Sequence, residues 1–566
     1  MNIHKVTNGE PKGIVKSIIG NMQVPKYLFQ IYGVGAPQVL FSWKGISGQA
    51  IYFCNTRSYC KCREAMASKG VEKLQCIYQI RTSKPNFKFK RVYSIILLED
   101  LYIVAYQNLK FKKIVITSGS DQVTPDKFNI NSIQIIIERL RNETFQFWPV
   151  RRVKVPKRNG KFRSLSIPSF NDKVIQEVIR IILEAIFEPT FASYSHGFRK
   201  SKRCHTALKD VRDTFAGVKW LITRDIKNCF DCFNHHKLVA ALEERISDQR
   251  FINLIWKFLR VGYIHDFKPI ITSLRGVPQG GVVSPLLSNI YINKLDVFIA
   301  RLIKEFNKGN CHVNDLEYTR YRALLNYWKN KDIEISKAYL YLSNSVTSKD
   351  LLNSKYRRLF YVRYADDFII GVISSIQEAR EIKYKVNKFL STSLSLTTSS
   401  SKNELTSAST GRVKFLDIRV SVPIYKEPTF STYKRTCYGK SLFIKAKSSQ
   451  GVVKLKVDIK SIIRKLNSAG FCNKLGVPTP RFQLYIISHN DIILIYNRVF
   501  LGFKNYFTFR DNFRSIAFSV QYILIRSCAK LLAAKLKLDT TKAVYKKFGK
   551  NLNIRGPKFA WSKSYL

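Results

Sequence analysis

The chain has 566 residues, 45% of them hydrophobic, with 96 Lys and Arg against 39 Asp and Glu and a formal charge of +57. This length implies several domains, and no core requires such an excess of charge. It repels itself unless a polyanion neutralises it, which puts nucleic acid first and an anionic membrane surface second. The basic residues run along the whole chain, so the folded body is the expected binding surface. No stretch reaches the roughly 18 uninterrupted apolar residues of a membrane span, and no membrane partner is expected. The N-terminus "MNIHKVTNGEPK" lacks the apolar region of a secretory signal. Eleven cysteines without regular spacing argue against a secreted disulfide framework.

Residues 1 to about 90 are turn-rich, broken by Gly33, Gly35, Pro37 and Gly45. Cys54, Cys60, Cys62 and Cys76 fit no standard zinc spacing and read as buried thiols rather than ligands. From 95 to 147 the pattern is helical, with "INSIQIIIERLRNETF" the clearest amphipathic segment. Residues 148 to about 425 alternate strand-like and helix-like pieces. A basic, polar insertion from about 303 to 355, with little apolar periodicity, divides that zone. Residues 440 to 550 read as mostly helical, and "RSIAFSVQYILIRSCAKLLAAKLK" is an amphipathic helix within them.

Two stretches carry acids where strand is otherwise written. In "YVRYADDFIIGV" the flanks favour β structure, and Asp366 and Asp367 fall where a tight hairpin turn would lie. Asp is a good turn residue, which accounts for one of them. Two adjacent anions repel unless a cation sits between them. In "WLITRDIKNCFDCFNHHKL" Asp225 closes a strand, a usual place for a site. Asp231 reads instead as a solvated residue at a helix start. If Asp225 meets the hairpin, the hard carboxylate oxygens can hold two Mg²⁺ ions about 3.5–4 Å apart. Such a pair activates a 3′-hydroxyl and stabilises a pyrophosphate leaving group.

Tyr364-Ala365-Asp366-Asp367 resembles the active-site box of reverse transcriptases, as does Asp225 followed five positions later by Phe230. In that family the aromatic excludes the ribose 2′-hydroxyl, so Phe230 implies deoxynucleotides; an ordinary core aromatic is the plain alternative. "PQGGVVSPLL", with Gln279 offering a donor and acceptor to template or nucleotide, resembles the motif of group II intron-encoded proteins. Lys157 and Arg163 flank an Asn159-Gly160 turn and match fingertip residues that hold the incoming triphosphate. "YSHGFR" matches a nucleic-acid-lining segment, with His196 structural. "LYIVAYQNL" resembles the family's N-terminal extension, and "AGFCNKLGVPTPR" and "YNRVFLGFKNYFTFRDNF" its thumb and maturase domain. There Lys504, Arg510, Arg514, Arg526, Lys530 and Lys535, interleaved with aromatics, are candidates for RNA phosphate.

The resemblance, over roughly residues 100 to 550, implies an α+β right-hand polymerase of fingers, palm and thumb with a helical C-terminal maturase domain. The expected divisions are 1–90, of unknown role; 91–150, the N-terminal extension; 151–425, fingers and palm; 426–552, thumb and maturase; and 553–566, a tail without an HNH endonuclease. The implied catalytic and metal-ligating residues are Asp225, Asp366 and Asp367, with two Mg²⁺. The implied partners are group II intron RNA, a DNA target and primer strand, and deoxynucleoside triphosphates, and a homodimer is compatible. The implied function is RNA-templated DNA synthesis joined to assisted splicing of the host intron. The alternative is a splicing maturase with impaired polymerase activity, and one departure bears on it. The family's primer-grip turn reads Phe-Leu-Gly-aromatic, whereas Phe415-Leu416 run straight into Asp417 here. Abundant Ile, Lys, Phe, Tyr and Asn suit an AT-rich organelle genome. The expected location is the mitochondrion, with plastid or bacterial cytoplasm as alternatives.

Overall fold

The computed structural model describes residues 69–110, 117–156, 162–226, 229–264, 275–310, 314–346, 348, 356–398, 404–411, 413–423, 430–437, 440–447, 451–549 and 552. Lys157, Cys54, Cys60 and Cys62 lie outside them; Cys76 is an exposed free thiol rather than the buried one expected.

Among the described residues, three helices of more than one turn lead in: α1 (Lys69–Ser83), α2 (Glu99–Lys110) and α3 (Ile130–Arg141), with a single turn at Tyr93–Ile96 between the first two. Asn129 caps α3 by accepting from the Ser132 N–H at 2.9 Å, and Ile133, Ile136, Ile137 and Leu140 form its buried stripe. The Gly70 N–H of α1 donates to Asp100 Oδ2 of α2 at 2.7 Å, so the expected division at residue 90 separates elements that pack together.

Next come β1 (Val150–Pro156), β2 (Phe162–Ile167), α4 (Phe170–Phe187), β3 (Ser195–His196), α5 (Cys204–Thr214), β4 (Trp220–Asp225), the one-turn α6 (Cys229–Cys232), α7 (His235–Glu243), α8 (Gln249–Leu259), β5 (Tyr263–Ile264) and α9 (Ser284–Phe306). The finger strands form a sheet ordered β2-β1-β5. The insertion then folds as a helical hairpin, α10 (Leu316–Trp328) and α11 (Ile333–Ser345), started by caps at Asp315 and Asp332. Its weak periodicity has a physical cause: on these two helices Leu325 and Ser343 alone are buried among the described residues.

The palm follows with β6 (Arg358–Tyr364), β7 (Asp367–Ile373), α12 (Ile376–Thr392) and β8 (Glu404–Ser407). Among the described residues the palm sheet has five strands, in the order β3-β6-β7-β4-β8. Side chains alternate across a strand, and the sheet is buried on both sides. Ile222, Phe368, Ile370 and Val372 enter one core with α4, α7, α8 and α9. Leu221, Ile369 and Ile373 enter a second core with α5 and the C-terminal elements. This two-sided burial is why "DFIIGVI" reads as a nearly continuous apolar run.

The C-terminal part opens with β9 (Lys414–Phe415), β10 (Ile418–Ser421), β11 (Phe430–Cys437), β12 (Lys440–Lys447) and β13 (Lys454–Val457). The helices α13 (Ile459–Ser468), α14 (His489–Phe507), α15 (Phe513–Lys535) and α16 (Thr541–Phe548) complete it. Two expectations change here. Residues 440–447 and 454–457 are strands rather than helix. The division set at 425 runs through one sheet, because β10 pairs with β13, Ile418 opposite Val457. Among the described residues α15 alone is long and apolar enough to cross a membrane by length and composition, and its apolar face is buried in the second core.

Candidate active site

The three acids meet at one end of the palm sheet. β4 and β7 run antiparallel with Asp225 directly opposite Asp367, a register that brings Cα atoms within about 4.5–5.5 Å. β6 and β7 close as a hairpin in which Tyr364 faces Asp367, leaving Ala365 and Asp366 as the turn. Ala365 takes a φ of 54°, a region L-residues with a Cβ enter at a cost. All three acids are half-buried. Among the described residues no three His, Cys, Asp or Glu side chains form a ready ligand cluster. The donor set nonetheless fits Mg²⁺, which takes one or two carboxylates and completes its shell with water and substrate phosphate.

A buried network holds the turn in its strained form. The Ala365 N–H donates to the His196 carbonyl at 2.9 Å, stitching the hairpin to β3. From below, Arg363 donates to the Ala365 carbonyl at 2.9 Å, Ser195 Oγ at 2.6 Å, Asn289 Oδ1 at 3.1 Å and Asp296 Oδ2 at 2.6 Å. Tyr361 donates to Asp296 Oδ1 at 2.9 Å. Burial by itself would lower the Arg363 pKa; the Asp296 charge outweighs it and raises it. The same burial, reinforced by Asp296, pushes the Tyr361 hydroxyl up. His196 is wholly buried between Thr206 and Asp210, each 2.9 Å away, as its structural reading requires. Sequence reasoning missed Arg363, Asn289 and Asp296. Their signal was present: an Arg within a strand, and two polar residues seven apart on the apolar stripe of a helix.

On the nucleotide side, Arg163 lies exposed on β2, paired with Val155 near the fingertip. The glycine loop joins fingers to palm. The Ser166 N–H donates to the Gln279 carbonyl at 2.6 Å, and the Val277 N–H to the Phe230 carbonyl at 2.6 Å. A Cβ on Gly276 would lie 2.8 Å from the Asp231 Cα, and one on Gly280, at φ 116°, would collide with the Ser166 carbonyl. Gln279 lines a cleft of about 510 Å³ with Arg152, Ser164, Ser166, Tyr263 and Asp231. Asp231 is 43% exposed and 3.9 Å from Arg152. Phe230 is half-buried, its ring centroid 6.2 Å from Phe233 and 6.4 Å from Phe198.

The C-terminal elements share the second core with the palm sheet. Leu416 and Asp417 form the two-residue turn between β9 and β10, both at positive φ, 50° and 63°. The hairpin thus forms without the family's glycine. Lys465 pairs with Asp417 at 2.6 Å, and Tyr506 donates to the Leu416 carbonyl at 3.0 Å. The six RNA candidates are placed unequally. Arg514 and Arg526 are exposed, Arg526 between the rings of Tyr522 and Tyr545. Lys504 is half-buried. Lys530 donates to the Pro478 carbonyl at 2.9 Å and Lys535 to the Tyr485 carbonyl at 2.7 Å, so both ammonium groups tie loops down. Arg510 is buried against Phe509, and desolvation lowers its pKa.

The fold is that of a right-hand polymerase. Residues 155–321 match the family described as reverse transcriptase (RNA-dependent DNA polymerase), and residues 450–561 match type II intron maturase. The group II intron-encoded protein LtrA of Lactococcus lactis subsp. cremoris is 36% identical over 481 residues, covering 81% of this chain and 76% of that protein. An uncharacterized 91 kDa protein in a cob intron of Schizosaccharomyces pombe is 36% identical over 496 residues, 86% of this chain and 59% of that one. The putative COX1/OXI3 intron 2 protein of Saccharomyces cerevisiae is 34% identical over 462 residues, 80% of this chain and 53% of that one. This chain belongs to the family of group II intron-encoded proteins, which joins a reverse transcriptase to a maturase domain. It spans between half and three-fifths of the length of these two yeast relatives.

Proposed function

We propose that the chain is an RNA-directed DNA polymerase and maturase that binds its host group II intron RNA, promotes its splicing and copies it into DNA. The observation that carries this reading is the register of Asp225 against Asp367, with Asp366 beside them and Phe230 on the short helix that follows β4. Asp225, Asp366 and Asp367 hold the metal. When bound, two Mg²⁺ ions lower the pKa of the primer 3′-hydroxyl and neutralise the departing pyrophosphate. Lys157 and Arg163 neutralise the triphosphate from the fingers. Gln279 contacts template or nucleotide, and Phe230 excludes a 2′-hydroxyl. The exposed Arg514 and Arg526 are the strongest of the six candidates for intron RNA phosphate, because their guanidinium groups are not used to tie loops. The DNA target and primer strand lie along the palm. The fungal intron relatives and the Ile-, Lys- and Asn-rich composition support a mitochondrial location, with bacterial cytoplasm as the alternative.

A second reading, a maturase with impaired polymerase, is favoured by the carboxylate of Asp417, 61% exposed at the β9–β10 turn where a primer phosphate would pass. Primer extension on an RNA template, set beside splicing of the intron at low Mg²⁺, separates the two. Extension by the wild type supports the first; splicing without extension supports the second.

A further inference from the structure

Phe198 is an aromatic residue that the packing of the chain does not account for. It is 57% exposed and takes a φ of 56°, directly after Gly197 at 87°. A bulky residue in the left-handed region persists only where the surroundings over-determine it, and such outliers gather at functional sites. The surroundings here are rigid. The Gly197 carbonyl accepts from Asn289 Nδ2 at 3.0 Å, and a Cβ on Gly197 would lie 2.9 Å from the Ala365 nitrogen. On the other side Arg199 donates to the Ala192 carbonyl at 2.8 Å and the Ser195 carbonyl at 2.7 Å, and pairs with Glu188 at 2.9 Å. The backbone before Phe198 is therefore packed against the acidic hairpin, and the Arg199 side chain after it is anchored to the 188–195 segment, while the ring projects.

The ring projects toward Phe230. Phe198 follows the end of β3 and Phe230 the end of β4, the two strands that flank the acidic hairpin. Their rings meet edge to face, centroids 6.4 Å apart at an interplanar angle of 77°. An apolar ring exposed beside three carboxylates gains a partner only from an apolar part of what binds there. The C2′ methylene of a deoxyribose is such a part. A ribose 2′-hydroxyl against the same ring would lose its hydrogen bonds to water without replacement.

We infer that Phe198 is a second sugar-selecting residue, forming with Phe230 a paired aromatic wall against the 2′ position of the incoming nucleotide. The inference rests on the polymerase reading above. The test compares kcat/KM for deoxynucleoside and ribonucleoside triphosphates in primer extension on an RNA template. Phe198→Asn removes the ring and suits positive φ, so folding is preserved; Phe198→Tyr keeps the ring. Phe198→Asn should lower the deoxy-to-ribo ratio about tenfold, as expected for one lost apolar contact, chiefly by improving ribonucleotide use. Phe198→Tyr should restore the ratio. An unchanged ratio in Phe198→Asn, or a fall that Phe198→Tyr does not repair, overturns the inference while leaving the polymerase reading standing. A wild-type chain that extends with neither set of nucleotides overturns both.

Discussion

Arg363 and Asp296 form a fully buried ion pair at 2.6 Å, 0% and 1% exposed, directly beneath the acidic hairpin turn. The pair joins α9 to β6, and Arg363 spends a further hydrogen bond on the carbonyl of the strained Ala365. Breaking one side of such a pair leaves an uncompensated buried charge, which costs about 3–5 kcal/mol. Arg363→Met should therefore destabilise the chain by about that amount. Adding Asp296→Leu should recover a good part of it, since the two substitutions share one interaction. Thermal midpoints of the single and double variants measure both effects; additive losses would contradict the coupling.

Gly280 holds a φ of 116° against the Ser166 carbonyl, with the Gln279 carbonyl accepting from the Ser166 N–H beside it. Gly280→Ala should cost about 1–3 kcal/mol through backbone strain and push β2 away from the glycine loop. Because Gln279 and Arg163 sit on these two elements, KM for nucleotide should rise more than kcat falls. Steady-state extension kinetics give the split.

Asp417 places a carboxylate at a turn whose backbone suits glycine. Its pair with Lys465 at 2.6 Å offsets part of that charge. A phosphate about 4 Å away in water therefore meets less than the roughly 1 kcal/mol repulsion of a bare carboxylate, and removing the carboxylate also frees the Lys465 ammonium. Asp417→Gly should relax the positive φ and raise extension efficiency about fivefold, read as kcat/KM for primer. No gain would remove the observation that favours the maturase-only reading.

Two histidines make stability depend on pH. Burial lowers the pKa of His196, with the Lys202 charge adding to it, and burial lowers that of His235 against its hydrogen bond to the Gly276 carbonyl. Both stay neutral in the folded chain at a pH where the unfolded chain binds protons, below about 6.5. Stability contributed by these neutral imidazoles is present above about pH 6.5 and lost as pH falls beneath it. The thermal midpoint should fall between about pH 7.5 and 5.5, and His196→Asn should flatten that slope.

That the acids would meet was legible because an acidic pair between two apolar, strand-like runs reads as a hairpin tip. The hairpin followed from the same stretch, and its partner strand from Asp225 closing an apolar run. Arg363 was legible in principle, yet a single strand shows only that a charge is buried and not that Asp296 lies beneath it. The strand Lys454–Val457 alternates Lys with Leu and Val, and Leu455 and Val457 are buried. Four residues of alternation are too few to stand out within a basic, helix-rich region, and their partner Ile418 lies far back in the chain. For the same reason the division at 425 was misplaced: a sheet that pairs distant segments leaves no local mark. Among the C-terminal cations, charge spacing could not tell Arg526, which faces outward, from Lys530, which holds the Pro478 carbonyl.

The central claim is that Asp225, Asp366 and Asp367 act together as the metal-holding centre of a polymerase. The most direct measurement is extension of a DNA primer on an RNA template in Mg²⁺ by the wild-type chain and by Asp366→Asn, with intron RNA binding measured on the same preparations. The account predicts extension by the wild type, a loss of about a thousandfold or more in the variant, as several kcal/mol of metal stabilisation would give, and RNA binding unchanged in both. Equal extension by the two proteins, or none by either while both bind the intron, would contradict it.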